Sequence, residues 1–202
     1  MREVRLELLR PDQIVAEKER CAIAYLPIGP LEWHGPAAPF GTDPLTAHES
    51  AVRCAREVGG VVLPPLFMGV DTPRDEQGLQ NLGFENTDQY IVGMDFPDNT
   101  VPSYYFREEI FAMAVREYVR LLVKQGYRLI VLINGHGAVN QMGVCQRNIK
   151  FFIDEFVDVL FEREYFFAAA KARATSSWAS RPGAGWALRE RIPDTPPAAS
   201  FR

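Results

Sequence analysis

Little in this chain of 202 residues points outside a reducing compartment. There are only three cysteines, Cys21, Cys54 and Cys145, far apart and without a CxxC pair, which excludes a disulfide framework and a cysteine-based metal knuckle. No apolar run approaches the ~20 residues of a membrane span. The opening Met1-Arg2-Glu3-Val4-Arg5-Leu6-Glu7 alternates charge with aliphatics and has no signal-peptide core. There is no excess of positive charge either: the net charge of −4 gives no reason to expect nucleic acid or an anionic membrane as partner. No GxGxxG follows the first apolar strand, which removes a dinucleotide-binding reading. These absences lead us to expect a cytoplasmic protein with no membrane and no nucleic-acid partner. The 47% hydrophobic and 24% charged residues that are present suit an ordinary globular core.

The periodicities describe an α/β chain. A polar helix or turn is expected from Pro11 to Arg20. Cys21–Ile28 is apolar on both faces, as strands covered by helices on each side are. Pro44–Val58 has a helical apolar face, with Asp43 as N-cap, Pro44 at the first helical position and Gly59-Gly60 as the stop. Val61-Val62-Leu63 resumes a strand that ends at Pro64-Pro65. Strand, helix, strand in this order is a right-handed βαβ unit of a parallel sheet. Residues 67–103 lose all period and form a loop long enough to be a lid over a site or a contact to another subunit. A helix follows over Tyr104–Gln125, with Ile110, Met113, Ala114, Tyr118, Leu121 and Leu122 as its apolar face and Gly126 at C′. Arg128–Ile133 is the cleanest buried strand. A second amphipathic helix carries Met142, Cys145, Ile149 and Phe152, and a last strand is expected within 157–170. Residues 1–172 thus read as one α/β domain and 173–202, rich in Arg, Pro, Ala, Ser and Gly, as a low-order tail.

Two strand ends carry chemistry. After the first strand comes Leu31-Glu32-Trp33-His34-Gly35, then Gly41-Thr42-Asp43; after the later one comes Asn134-Gly135-His136-Gly137. Glu32 and His34, two apart, share a face while strand geometry lasts, and His136 would arrive at the same edge of the sheet, where α/β folds bind ligands. Taken singly, each has a plain structural explanation: Glu32 a surface carboxylate, His34 and His136 turn histidines, Asp43 a helix cap. His48, beside Glu49, is expected to be solvated or to stand behind the site. Together, mixed imidazole and carboxylate donors suit zinc, manganese or iron better than calcium.

These segments resemble the creatininase family of metal-dependent amidohydrolases, over roughly residues 20–170: Leu26–Pro36, Phe40–Asp43, Leu63–Gly69 and Ile133–Asn140 carry the likeness. The resemblance implies a three-layer α/β/α sandwich with a mostly parallel central sheet, assembled as a homo-oligomer, often a hexamer. It implies a divalent cofactor, Zn2+ or Mn2+, one or two ions per chain, with Glu32 and His136 on one ion, His34 on the other and Asp43 bridging. The implied activity is attack of metal-activated water on the C–N bond of a small-molecule amide, often a cyclic one. Three departures stand beside it. Ala37 replaces a His common in the family, Ala138 replaces the Glu of creatininase itself, and no His-Ala-Gly-Glu-like segment follows residue 170. Glu162 and Glu164 are available acids without a ligand context, and no general acid or base is assigned. The alternative is a non-catalytic or impaired member serving as a metal-binding or assembly subunit.

Overall fold

The strands form because β-branched and leucine-rich runs are bounded by turn residues, and the sheet they build is parallel throughout. The computed structural model describes residues 2–85, 87–153 and 158–163. They lie in one compact unit, Met1–Phe166. The expected tail 173–202 and Glu164 fall outside the described residues.

After α1 (Pro11–Arg20), strand β1 (Ile23–Gly29) leads into α2 (Thr42–Val58) and β2 (Val61–Val62). The strand expected to end at Pro64-Pro65 is only interrupted there. Proline lacks the N–H a ladder needs, and pairing resumes as β3 (Leu66–Phe67). β2 takes the early part of β1 (Ala24 with Val61) and β3 its end (Ile28 with Leu66). α3 (Glu76–Asn81), α4 (Glu108–Lys124), β4 (Leu129–Asn134), α5 (Val139–Ile153) and β5 (Asp158–Arg163) follow. The order across the sheet is β2-β1-β4-β5, with β3 also on β1. β1 and β4 run side by side in register, Ile23 with Leu129 through Ile28 with Asn134.

Alternation along these two strands makes three layers. Ala24, Leu26, Ile28, Ile130 and Leu132 enter one core with Phe111, Val115, Val119 and Leu122 of α4 and Val144 and Cys145 of α5. Tyr25, Leu129, Val131 and Ile133 enter the other with Ala47, Ala51, Val52 and Ala55 of α2. The α/β/α sandwich with a parallel sheet is therefore observed. Cys145 is buried, whereas Cys21 and Cys54 are half-buried, and none of the three is in a disulfide. Among the described residues no helix is long and apolar enough to cross a membrane.

Two expectations need correction. α4 starts at Glu108, because Tyr104 is drawn into a bridge with Leu31. Of the expected face Leu122 is buried and Ala114 half-buried, but Ile110, Met113, Tyr118 and Leu121 are exposed, and the buried positions beside Leu122 are Phe111, Val115 and Val119. Apolar residues on so many sides of this helix leave the period compatible with more than one face. Within residues 67–103, α3 forms behind an Asp75 cap whose Oδ1 accepts the Gly78 amide. Six residues are too few to register as a period. The chain at the end of this segment returns to the sheet edge. The Trp33 amide donates to Ser103 Oγ, the Tyr104 amide to the Leu31 carbonyl and the Phe106 amide to the Gly69 carbonyl.

The corrected face has a measurable consequence. Phe111→Ala should cost about 3–5 kcal/mol of unfolding free energy, and Met113→Ala within about 0.5 kcal/mol of nothing. Urea unfolding of the two variants checks this.

Candidate metal centre

The site is assembled where β1 and β4 end, and two glycines make room for it. A Cβ on Gly29 would lie 2.7 Å from Pro44 N and 2.9 Å from Asp43 Cβ. One on Gly135 would overlap the Asp43 carbonyl oxygen. Only glycine lets the start of α2 press between the two strand ends, and this inserts Asp43 into the crevice. Gly137, by contrast, has nothing near its missing Cβ.

Asp43 is not the helix cap its position suggested. The N-cap is Gly41, with no side-chain cap bond, and Asp43 lies in the first turn. Its carboxylate turns inward instead: Oδ1 is 3.0 Å from His34 Nε2 and Oδ2 is 3.0 Å from His136 Nδ1. One oxygen thus serves each histidine. Glu32 Oε2 lies 3.0 Å from His136 Nδ1 and 3.6 Å from His34 Nε2. All four residues singled out in the sequence therefore converge. Glu32, Asp43 and His136 are buried, and each offers a donor atom within 4.8 Å of the others. His34 stands beside this trio and is more open. His48 is elsewhere, feeling Glu7, Arg5 and Glu49 rather than the crevice.

Hydrogen-bond logic tests whether a cation fits. His34 Nδ1 is 3.0 Å from the Glu32 carbonyl, which can only accept, so Nδ1 carries the proton. In the neutral ring Nε2 then turns a lone pair on a carboxylate oxygen. Acceptor facing acceptor is stable only with a proton or a cation between them. At His136, burial opposes charging, but the carboxylates of Asp43, Asp71 and Glu32 outweigh it and raise the imidazole to about 11. Burial, together with the Glu32 charge, raises Asp43 against the pull of His136. Burial also pushes Glu32 upward, yet the His136 hydrogen bond and charge and the Tyr105 hydroxyl leave it lowered. Without a metal, a trapped imidazolium balances the carboxylates. A divalent ion would satisfy the same atoms, and the donor set of oxygens and imidazole nitrogens suits zinc or manganese.

Sequence reasoning missed four residues. Tyr105 donates its hydroxyl to Glu32 Oε1 at 2.7 Å and accepts the Met94 amide at 3.1 Å. Burial and the Glu32 contact push its pKa up, so it stays a donor. Asp71 Oδ2 lies 3.5 Å from His136 Nε2. Asn134 Nδ2 donates to the His136 carbonyl at 2.5 Å, and Gln141 Nε2 donates to Asn134 Oδ1 at 2.7 Å. Gln141 Oε1 accepts the Val70 amide at 2.8 Å, so one fully buried amide ties the His136 turn to the segment carrying Asp71. Only Asn134 lay inside a motif. Asp71 and Tyr105 come from, or flank, the aperiodic segment, where nothing marks them.

The family model for creatinine amidohydrolase matches residues 7–185. A curated relative, 3-dehydro-scyllo-inosose hydrolase of Thermotoga maritima, is 26% identical over 125 residues, 62% of this chain. The match spans 33% of that relative's length. The crystal structure of creatinine amidohydrolase (creatininase) superposes with a TM-score of 0.63 at 20% identity, covering 92% of this chain and 67% of that one. Creatininase Mn superposes with a TM-score of 0.60 at 21% identity, over 86% and 63% of the two chains. At these identities the superpositions establish the fold.

The two glycines should respond differently to an added methyl group. Gly135→Ala should destabilise the chain by about 1–3 kcal/mol, the usual cost of overpacking, while Gly137→Ala should leave it near wild type. Denaturant midpoints of the matched pair distinguish a required close approach from mere turn propensity.

Proposed function

The chain belongs to the creatininase family, and from that premise we propose that it is a metal-dependent amidohydrolase that cleaves the C–N bond of a small amide, linear or cyclic. The observation that carries this reading is the buried trio Glu32, Asp43 and His136, with donor atoms within 4.8 Å of one another at the ligand-binding edge of the sheet. Glu32 Oε2, an oxygen of Asp43 and His136 Nδ1 would hold one ion. His34 Nε2 and the other Asp43 oxygen are the donors available to a second. Zinc and manganese are the ions we favour, from the donor chemistry and from the manganese named for a structural neighbour.

A divalent ion held there would polarise a carbonyl and make water acidic enough to attack near neutral pH. The chain's own residues do the positioning. Asp43 presents one oxygen to each histidine. Tyr105 ties up Glu32 Oε1 and leaves Oε2 to the crevice. The segment before Tyr105 hydrogen-bonds back onto Leu31 and Trp33 and so lies against the site, as a lid would. Three cysteines outside any disulfide fit a reducing, cytoplasmic setting, and a homo-oligomer is the assembly we expect from the family.

A second reading, a metal-binding or assembly subunit without turnover, is favoured by Ala138, which stands where creatininase has a carboxylate. A panel of small linear and cyclic amides, offered to the full chain with added Mn2+ or Zn2+, separates the two. The enzyme reading predicts turnover that falls to background in His34→Ala and His136→Ala while circular dichroism is unchanged. Metal binding without turnover of any amide would select the subunit reading instead.

A further inference from the structure

The proposed metal site leaves one polar atom unexplained. His136 is 5% exposed, and its Nε2 is buried without a hydrogen-bond partner among the described residues. The atom it faces is Asp71 Oδ2, at 3.5 Å, and such contacts run long in ligand-free sites and tighten on loading. Three features hold Asp71 in this place. Its Oδ1 accepts the Thr72 amide at 2.7 Å, which fixes the carboxylate plane and leaves Oδ2 for the ring. Gln141 anchors the preceding amide, Val70, to the Asn134 turn that carries His136. Gly93, with φ +55°, has no side chain where Asp71 Oδ2 and the Tyr105 hydroxyl crowd together.

We propose that Asp71 is the positioning residue for His136: it accepts the Nε2 proton, fixes the ring orientation and so selects the tautomer whose Nδ1 lone pair points at Glu32 and Asp43. Carboxylates face both ring nitrogens, and an ion on the Nδ1 side sets the direction. Nδ1 is the nitrogen within 3.0 Å of both site carboxylates. A cation bound between those carboxylates and Nδ1 would take the Nδ1 lone pair, and the one remaining ring proton then belongs on Nε2, where Asp71 Oδ2 can accept it. Ligating histidines depend on an outer partner of this kind, and its removal typically weakens metal binding 10–100-fold. Asp71 thus makes the aperiodic segment part of the metal centre rather than a cover alone.

Substitution by asparagine is the sharper probe. The Thr72 amide would keep hold of the amide oxygen, so the NH2 group would face His136 Nε2. That donor would force the proton onto Nδ1, the wrong tautomer for a ligand. Zn2+ affinity of the full chain, measured against a chromophoric chelator, should fall about 10–100-fold in both Asp71→Ala and Asp71→Asn. Circular dichroism should show both variants folded. In the zinc-loaded wild type, 15N-resolved histidine spectra should place the His136 ring proton on Nε2, a readout that needs no variant to fold. The inference rests on the metal reading above, and the outcomes keep the two apart. Wild type that binds no zinc overturns both. Wild type that binds zinc, with both variants equally tight or with the His136 proton on Nδ1, overturns this inference alone. Loss of a whole equivalent of zinc in the variants would make Asp71 itself a ligand and overturn the positioning role.

Discussion

Two carboxylates buried side by side at the edge of a parallel sheet are the constraint on which the rest of this structure turns. Glu32 and Asp43 are 4% and 7% exposed, and unpaired charges in such a setting cost several kcal/mol each. Something positive must sit with them. In the protein alone that role falls to His136, held charged by the carboxylates around it. The arrangement of lone pairs at His34 shows the same demand from the other side. The site reads as a cavity shaped for positive charge, with the proton as its default occupant.

The fold meets this demand with backbone more than with side chains. Parallel pairing of β1 with β4 brings the ends of two distant segments into register, Ile28 beside Asn134. Gly29 and Gly135 then admit the first turn of α2 between them, so Asp43 arrives from a third direction. Behind this, Asn134 and Gln141 form a buried amide relay that satisfies the turn carrying His136 and the bend leading to Asp71. A polar group buried without a partner costs about 1–3 kcal/mol, so a fully satisfied relay is a rigid mount for the ligands. The long segment between β3 and α4 contributes Asp71 and hands the chain to Tyr105, which explains why its hydrogen bonds converge on Leu31, Trp33 and Gly69.

Much of this could be read from the residues, for identifiable reasons. β1 and β4 are apolar on both faces because helices cover both, which is also why a layered parallel sheet was expected. Glu32, His34 and His136 sit in short glycine-flanked motifs at strand ends, where local spacing implies convergence. Asp43 was ambiguous because Asp before Pro at a helix start is also a good capping pair; only the tertiary approach of α2 to Gly135 decides between them. Asp71, Tyr105 and Gln141 had no local signal at all. Their roles depend on how some forty residues of aperiodic chain fold back, and no periodicity encodes that. The face of α4 was misread because apolar residues surround the helix and burial selects among them.

Metal content per chain tests the central claim most directly: plasma mass spectrometry on protein purified without added metal or a histidine tag. The account predicts at least one equivalent of zinc or manganese in wild type, lost in Asp43→Ala, since Asp43 touches both histidines. Protein that stays metal-free even after reconstitution would show that the buried carboxylates are balanced by the His136 proton alone, and the hydrolase reading of the site would fall.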